Sequence, residues 1–129
     1  MQKNILKESP YSVDKAVRIL NKDGIVALKT ETVYGVACNA NSIFSIESVY
    51  NLKKRPLFNP LIIHVNTLEM ASKIAVFSNV SKKIAKHFWP GPLTLILPRK
   101  KNCLVKDFAV AGLETIALRI PDSKVFQKI

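Results

Sequence analysis

Hydrophobic residues recur at helical spacing in four segments of the chain. These segments are residues 12–21, 43–53, 68–75 and 82–88. Apolar side chains repeated every three or four positions lie on one face of a helix, so each segment predicts an amphipathic helix. Hydroxyl side chains at the segment starts predict N-caps at Ser12, Ser42, Thr67 and Ser81. In the last helix we expect Phe88 to face inward.

Short apolar runs predict buried strands between these helices. The runs are residues 25–28, 61–65, 93–97 and 115–120. A turn at Asp23-Gly24 precedes the first strand, and we expect Gly24 to adopt a positive φ. Helices that alternate with buried strands are typical of α/β proteins, and the length suits one domain over residues 1–129.

A polar segment follows the first predicted strand directly. Residues 29–35 read KTETVYG, with two hydroxyls, a carboxylate and a phenol within five positions. Ligands of open α/β sheets bind beyond the carboxyl ends of strands, so this segment is a candidate site. In an extended conformation Thr30 and Thr32 would share one side. A polar turn whose hydroxyls cap the backbone explains the pattern equally well.

Residues 53–65, KKRPLFNPLIIHV, combine three cations, two prolines and an apolar run. Pro56 and Pro60 each hold φ at about −65° and stiffen the segment. Arginine forms bidentate hydrogen bonds with phosphate, and lysine binds phosphate as a compact point charge. Lys53 and Arg55 therefore suit a phosphorylated ligand. A solvated basic turn is the alternative, since cations at a helix C-terminus favour the helix dipole without any ligand.

Two ionisable side chains interrupt apolar strands. A lone histidine such as His64 is more often a hydrogen-bonded core residue than a ligand-binding one. Arg119 lies within the run 115–120. An unpaired buried cation is costly, so Arg119 requires an anion from the protein or from a ligand.

The charge balance is strongly basic, with 20 Lys and Arg against 9 Asp and Glu and a net charge of +11. Between Glu69 and Asp107 there are eight cations and no acid. Such a face favours polyanions: a nucleotide, RNA or an acidic membrane surface. The composition is also rich in Lys, Asn and Ile, and base-composition bias in the genome would raise the charge in this way without any function. Hydrophobic residues make up 48% of the chain, which is typical of a globular protein and excludes a disordered one.

The cysteines and the hydropathy indicate in which cellular compartment the protein works. Cys38 and Cys103 lie far apart and lack metal-ligand spacing, so we expect reduced cysteines and no resident metal. No apolar run has the length of a membrane span, and the N-terminus has no apolar segment of signal-peptide length. We therefore expect a soluble cytoplasmic protein.

Four segments together resemble the YrdC/TsaC family in order and spacing. They are KTETVYGVA at 29–37, KKRPLFNPLIIHV at 53–65, WPGPLT at 89–94 and ALRIP at 117–121. The resemblance implies an open, twisted, mixed α/β sheet with flanking helices around a basic concave cavity. It also implies threonylcarbamoyl-AMP synthase activity, in which L-threonine, bicarbonate and ATP give threonylcarbamoyl-adenylate and pyrophosphate for the t6A modification of tRNA.

The resemblance further implies which residues form the site. Those that would hold ATP, the first two as the catalytic pair on its phosphates, are Lys53, Arg55, Asn59 and Thr115. Those that would bind L-threonine, the last through its carboxylate, are Thr32, His64 and Arg119. ATP would be a substrate accompanied by Mg²⁺. The reaction needs no protein nucleophile, so the protein's part is positioning and charge neutralisation.

The chain departs from the family pattern at two places. Lys29 stands where the family usually has proline, and the Ser-x-Asn motif that completes the family's ATP and threonine sites does not occur. We therefore expect a C-terminally truncated domain, either a truncated or split gene product or one piece of a two-chain enzyme. Its expected protein partners are a second chain that supplies the missing part or the downstream proteins of t6A formation. The alternatives are an inactive fragment and a non-catalytic module that binds double-stranded RNA. RNA binding through phosphates would weaken steeply with salt.

Overall fold

The computed structural model describes residues 5–129, so the first four residues of the predicted domain lie outside the described residues. Helices and strands alternate along this part of the chain. The elements are α1 (Pro10–Asn21), β1 (Val26–Lys29), β2 (Tyr34–Ala37), α2 (Ile43–Lys53), β3 (Ile62–His64), α3 (Leu68–Ile74), α4 (Asn79–Phe88), β4 (Leu95–Pro98), a 3₁₀ turn (Asp107–Val110), β5 (Thr115–Arg119) and α5 (Lys124–Lys128).

The strands form two sheets, which confirm the predicted mixed α/β architecture. β1 and β2 pair as an antiparallel hairpin. β5 is the central strand of a three-stranded sheet, parallel to β3 and antiparallel to β4. The apolar pattern did not predict β2, because this segment becomes a strand only through its pairing with β1. The parallel pair brings the carboxyl ends of β3 and β5 to one edge.

β5 supplies the centre of the hydrophobic core. Alternate residues of a strand point to opposite faces, and Ile116, Leu118 and Ile120 are all at most 7% exposed. Ile46 of α2 and Val110 of the 3₁₀ turn are fully buried against the same cluster. The core cluster on this side of the three-stranded sheet also includes residues of α3 and α4, such as Ala71 and Ala85.

The other side of this sheet, which we call the open face, is exposed at Ile62, Ile96 and Thr115 and covered where β5 ends at Arg119. Ile62 is 45% exposed and Ile96 is 71% exposed, although both belong to strands. Register pairs Ile62 and Ile96 with Ala117, and His64 with Arg119. The residues of the open face are Ile62, His64, Ile96, Thr115, Ala117 and Arg119.

Two helices begin before their predicted caps. Ser9 Oγ accepts the Ser12 N–H at 3.1 Å, and Ser12 Oγ accepts the Ser9 N–H at 2.9 Å. Ser78 and Ser81 form the same reciprocal pair at 3.1 and 2.8 Å. The predicted caps Ser12 and Ser81 are therefore wrong. Each is the third helical residue of a capping box whose true N-cap lies three positions earlier.

Two predictions about helix ends are also wrong. Asp23, not Gly24, adopts the positive φ of the turn after α1, at 60°. Gly24 is needed there for space, since a Cβ would lie 2.5 Å from the Ile19 Cγ2 atom. Phe88 was expected to face inward but is 54% exposed, because the helix ends there and turns the ring toward solvent.

Candidate functional site

The loop between β1 and β2, residues 30–33, lies against the carboxyl end of β5. Arg119 donates from Nε to the Gly91 carbonyl at 2.9 Å and from Nη1 to Thr32 Oγ1 at 3.3 Å. Its Nη2 forms an ion pair with Glu31. The second carboxylate oxygen of Glu31 accepts the backbone N–H of Asp122. The polar segment after the first strand and the lone cation of the last strand therefore form one cluster.

Arg119 is a buried cation with an internal counterion. The residue is 8% exposed, and burial lowers the pKa of its guanidinium because the charged form is desolvated. Arginine nevertheless stays protonated at any working pH. The prediction that Arg119 requires an anion is confirmed, and in this structure the anion is Glu31.

Thr30 holds the loop in shape from inside. The residue is 8% exposed, and its hydroxyl donates to the Val33 carbonyl at 3.0 Å. The same oxygen accepts the N–H groups of Thr32 and Val33 at 3.3 and 3.4 Å. These contacts make the loop a polar turn whose hydroxyl caps the backbone, which was one of the two readings open from sequence.

The hydroxyls of this loop connect it to Arg119. Thr30 Oγ1 and Thr32 Oγ1 lie 2.9 Å apart, and either hydroxyl can be the donor in this contact. Thr32 Oγ1 also accepts a hydrogen bond from Arg119 Nη1. Thr32 is therefore held between the buried Thr30 side chain and the guanidinium of Arg119.

His64 lies beside Arg119 on the neighbouring strand and faces the same side of the sheet. Its ring stacks on Phe126 of α5, with centroids 4.8 Å apart and an interplanar angle of 30°. Nδ1 lies 2.9 Å from the Ile62 carbonyl, which requires the proton on Nδ1. In the neutral ring Nε2 is then an acceptor. Burial lowers the pKa of His64, and the hydrogen bond to Ile62 partly opposes this shift.

This lowered pKa predicts a pH-dependent contribution of His64 to stability. The unfolded chain takes up the proton at the ordinary histidine pKa of about 6.5, but the folded chain resists it until a lower pH. The free energy of unfolding should therefore fall as the pH drops below about 6.5. In His64→Gln this part of the fall should be absent, as measured by urea unfolding between pH 5 and pH 8. His87→Gln, at an exposed position near the end of α4, is the matched control for the loss of an imidazole.

The cationic segment after α2 is ordered by its own arginine. Arg55 donates from Nε to the Asn59 carbonyl at 3.2 Å and from Nη2 to the Pro60 carbonyl at 2.8 Å. The Tyr50 hydroxyl also donates to the Asn59 carbonyl, at 2.6 Å. Arg55 thereby uses its Nε and Nη2 groups to order the segment that follows α2. Lys53 is exposed in the last turn of α2.

The structure sorts the predicted site residues into two groups. Thr32, His64 and Arg119 meet at the carboxyl ends of β3 and β5. The segment that carries Arg55 and Asn59 leads into the amino end of β3, which is also the end of the sheet where Thr115 begins β5. Thr115 and Arg119 are four residues apart on the same face, roughly 13 Å along an extended strand.

Sequence reasoning did not assign a role to Glu31 or Thr30, although it placed both in a candidate segment. The signal for Glu31 was the combination of a carboxylate after one strand and an unpaired arginine in another.

Among residues 5–129, no group of three or more His, Cys, Asp or Glu side chains converges as a metal site. A groove of about 600 Å³ between Pro10 and Lys128 lies outside both groups. No helix of the described range has the length and hydropathy to cross a membrane.

Fold and site together define a mixed α/β domain that gathers a buried arginine, hydroxyls and a histidine at the carboxyl ends of two parallel strands. A family model described as telomere recombination, which covers the Sua5, YciO and YrdC proteins, matches residues 18–129. The chain belongs to this Sua5/YciO/YrdC family, as the sequence motifs predicted.

A named relative and two solved structures agree with this family assignment. A threonylcarbamoyl-AMP synthase of Bacillus subtilis is 40% identical over 118 residues, which are 91% of this chain and 34% of the relative. The crystal structure of Pyrococcus abyssi Sua5 complexed with L-threonine superposes with a TM-score of 0.88 at 34% identity, covering 95% of this chain and 36% of that one. YciO of Escherichia coli, at 22% identity and a TM-score of 0.83, supports the fold alone. The chain spans about a third of the length of the first two proteins.

Proposed function

We propose that this chain carries the threonine- and ATP-binding part of a threonylcarbamoyl-AMP synthase, which makes threonylcarbamoyl-adenylate and pyrophosphate for t6A formation in tRNA. The observation that carries the proposal is the contact of buried Arg119 with Thr32 at the carboxyl end of β5. It occurs in a fold that superposes on a relative crystallised with L-threonine. Homologues named threonylcarbamoyl-AMP synthase support a transferase-type enzyme.

The threonine end of the site offers complementary groups for an α-amino acid. The planar guanidinium of Arg119 is able to bind a carboxylate through two parallel hydrogen bonds. The hydroxyl oxygen of Thr32, beside Arg119, would accept a hydrogen bond from the ammonium or hydroxyl group of L-threonine. The Nε2 acceptor of neutral His64 is a second such group on the same face.

The nucleotide end of the site is cationic. Lys53 and the guanidinium of Arg55 would neutralise the phosphates of ATP, which is proposed to arrive as its magnesium complex. Asn59 and Thr115 are proposed to contact the rest of the nucleotide. The open face of the sheet would then lie between the two substrates.

The proposed reaction balances without a protein nucleophile. The amine of L-threonine and bicarbonate condense to a carbamate with loss of water. A carbamate oxygen then attacks the α-phosphorus of ATP, the bond from that phosphorus to the bridging oxygen breaks, and pyrophosphate leaves. The protein holds the reactants in line and neutralises the departing charge, which are the main contributions in phosphoryl and nucleotidyl transfer.

Replacement of Arg55 by alanine tests the nucleotide end. Threonine-dependent release of pyrophosphate, measured with L-threonine, bicarbonate, Mg²⁺ and ATP, should fall about 100-fold, because a preorganised cation at the developing charge is lost. Arg18→Ala is the matched control, since Arg18 lies exposed on α1. Circular dichroism verifies that both variants fold.

A pyrophosphate rate that is equal in Arg55→Ala and Arg18→Ala would contradict the role of Arg55. A folded wild-type chain that yields no threonylcarbamoyl-adenylate would contradict catalysis by this chain alone.

Double-stranded RNA and a second chain as partners stay predictions. The exposed lysines of α4, Lys82, Lys83 and Lys86, are the groups that RNA phosphates would meet.

A further inference from the structure

Glu31 occupies the position on Arg119 that a bound carboxylate would take. One oxygen pairs with Arg119 Nη2 and the other accepts the Asp122 N–H, so the carboxylate joins the hairpin loop, the end of β5 and the segment before α5. The side chains of Arg119 and Glu31 are 9% and 23% exposed. This counterion is therefore partly accessible to solvent, while the cation is not.

A second carboxylate beside Arg119 would not coexist easily with Glu31. Two carboxylates on one poorly solvated guanidinium repel each other, and one of them must be expelled or protonated. The remaining contacts of Arg119, with Gly91 and Thr32, are neutral and do not compete with an anion. An incoming carboxylate would thus replace Glu31 rather than add to it.

The loop is built so that Glu31 can leave without unfolding it. Thr30 holds the loop through contacts with Thr32 and Val33 that do not involve Glu31. A separate hydrogen bond of 3.1 Å from Ser123 Oγ to the Lys29 carbonyl keeps the hairpin attached to the segment before α5. The exchange needs only a rotation of the Glu31 side chain, which already contacts solvent.

We propose that Glu31 is a built-in competitor for the carboxylate position on Arg119, which keeps the buried cation paired in the free protein and is displaced by the carboxylate of the bound amino acid. This inference rests on the proposed function, because it takes L-threonine as the ligand. Glu31 thereby lowers the affinity for small carboxylates, and it makes the occupancy of Arg119 depend on the ligand's negative charge.

Glu31→Gln removes the competing charge and keeps the shape and the acceptor for the Asp122 N–H. Titration calorimetry should show L-threonine binding about 10-fold more tightly to this variant than to the wild type, the scale of one charge-assisted hydrogen bond. L-threoninol, which has no carboxylate, should show no gain. Glu47→Gln, an exposed acid on α2, is the matched control and should bind as the wild type does. A residue with a merely structural role would weaken binding on substitution, not tighten it.

Thermal unfolding in sodium acetate against sodium chloride of equal ionic strength gives a readout that does not depend on threonine. Acetate should raise the midpoint of Glu31→Gln, whose cation has lost its counterion, by more than that of the wild type. If neither protein binds L-threonine but acetate selectively stabilises Glu31→Gln, the competitor role stands and the proposed function fails. If L-threonine binds both proteins equally and acetate affects both equally, the competitor role is overturned and the proposed function stands.

Discussion

Arg119→Met should abolish binding of L-threonine by the chain, with a loss of affinity of about 100-fold or more. The guanidinium offers charge-assisted hydrogen bonds from a nearly dry position, and such bonds contribute about 1.5–3 kcal/mol each. Methionine has a similar length and no donor. Glu31 loses its partner in this variant, but its partly exposed carboxylate is able to turn to water. Titration calorimetry measures the loss, and the threonine dependence of pyrophosphate release should fall with it.

Arg99→Met provides the comparison for this variant. Arg99 is also a well-covered arginine, with an ion pair to Asp107 at 2.5 Å and a hydrogen bond to the Val105 carbonyl at 2.5 Å. It lies at the other end of β4 from Arg119. Its loss should lower stability and leave the affinity of the folded protein for L-threonine unchanged. Retained threonine binding in a folded Arg119→Met protein would show that the carboxylate binds elsewhere.

Leu118→Ala should lower the free energy of unfolding by about 3 kcal/mol, within the range for leucine truncation in a closed core. Leu118 is 0% exposed at the centre of β5, paired with Leu95 of β4 and surrounded by the core cluster. Urea unfolding at neutral pH measures the difference.

Ile96→Ala is the control on the same sheet. Ile96 follows Leu95 on β4 and pairs with Ala117, but its side chain points to the open face and is 71% exposed. Its truncation should cost less than about 0.5 kcal/mol, the usual effect of a surface substitution. Equal losses in Leu118→Ala and Ile96→Ala would mean that the open face is covered in solution, for example by a second copy of the chain.

The sequence predicted most of the secondary structure because each element has a local signal. The helix at Ile43–Lys53 agrees with its predicted bounds, and the strand at Thr115–Arg119 lies within its predicted run. The errors at Ser12 and Ser81 share one cause. In a serine-x-x-serine capping box either serine suits the cap by composition, and only the backbone geometry shows which one starts the helix.

The candidate site was predicted by residue type but not by arrangement. The rule that ligands bind beyond strand ends selected the segment that contains Thr32, and the structure shows Thr32 in contact with Arg119, 87 residues away along the chain. The cost of burying a charge predicted from the sequence that Arg119 has an anionic partner. It did not predict whether this anion is a ligand or Glu31, because both satisfy the same electrostatic requirement.

By itself the sequence predicted four of the helices, four of the strands, the buried apolar character of β5, and the segments that resemble the family. These properties depend on neighbours within a few residues. Only the tertiary structure decided that β2 is a strand, that the hairpin loop covers the end of β5, and that Glu31 pairs with Arg119. Those features are contacts between segments that are distant along the chain, and their free energy comes from burial and pairing that no local pattern records.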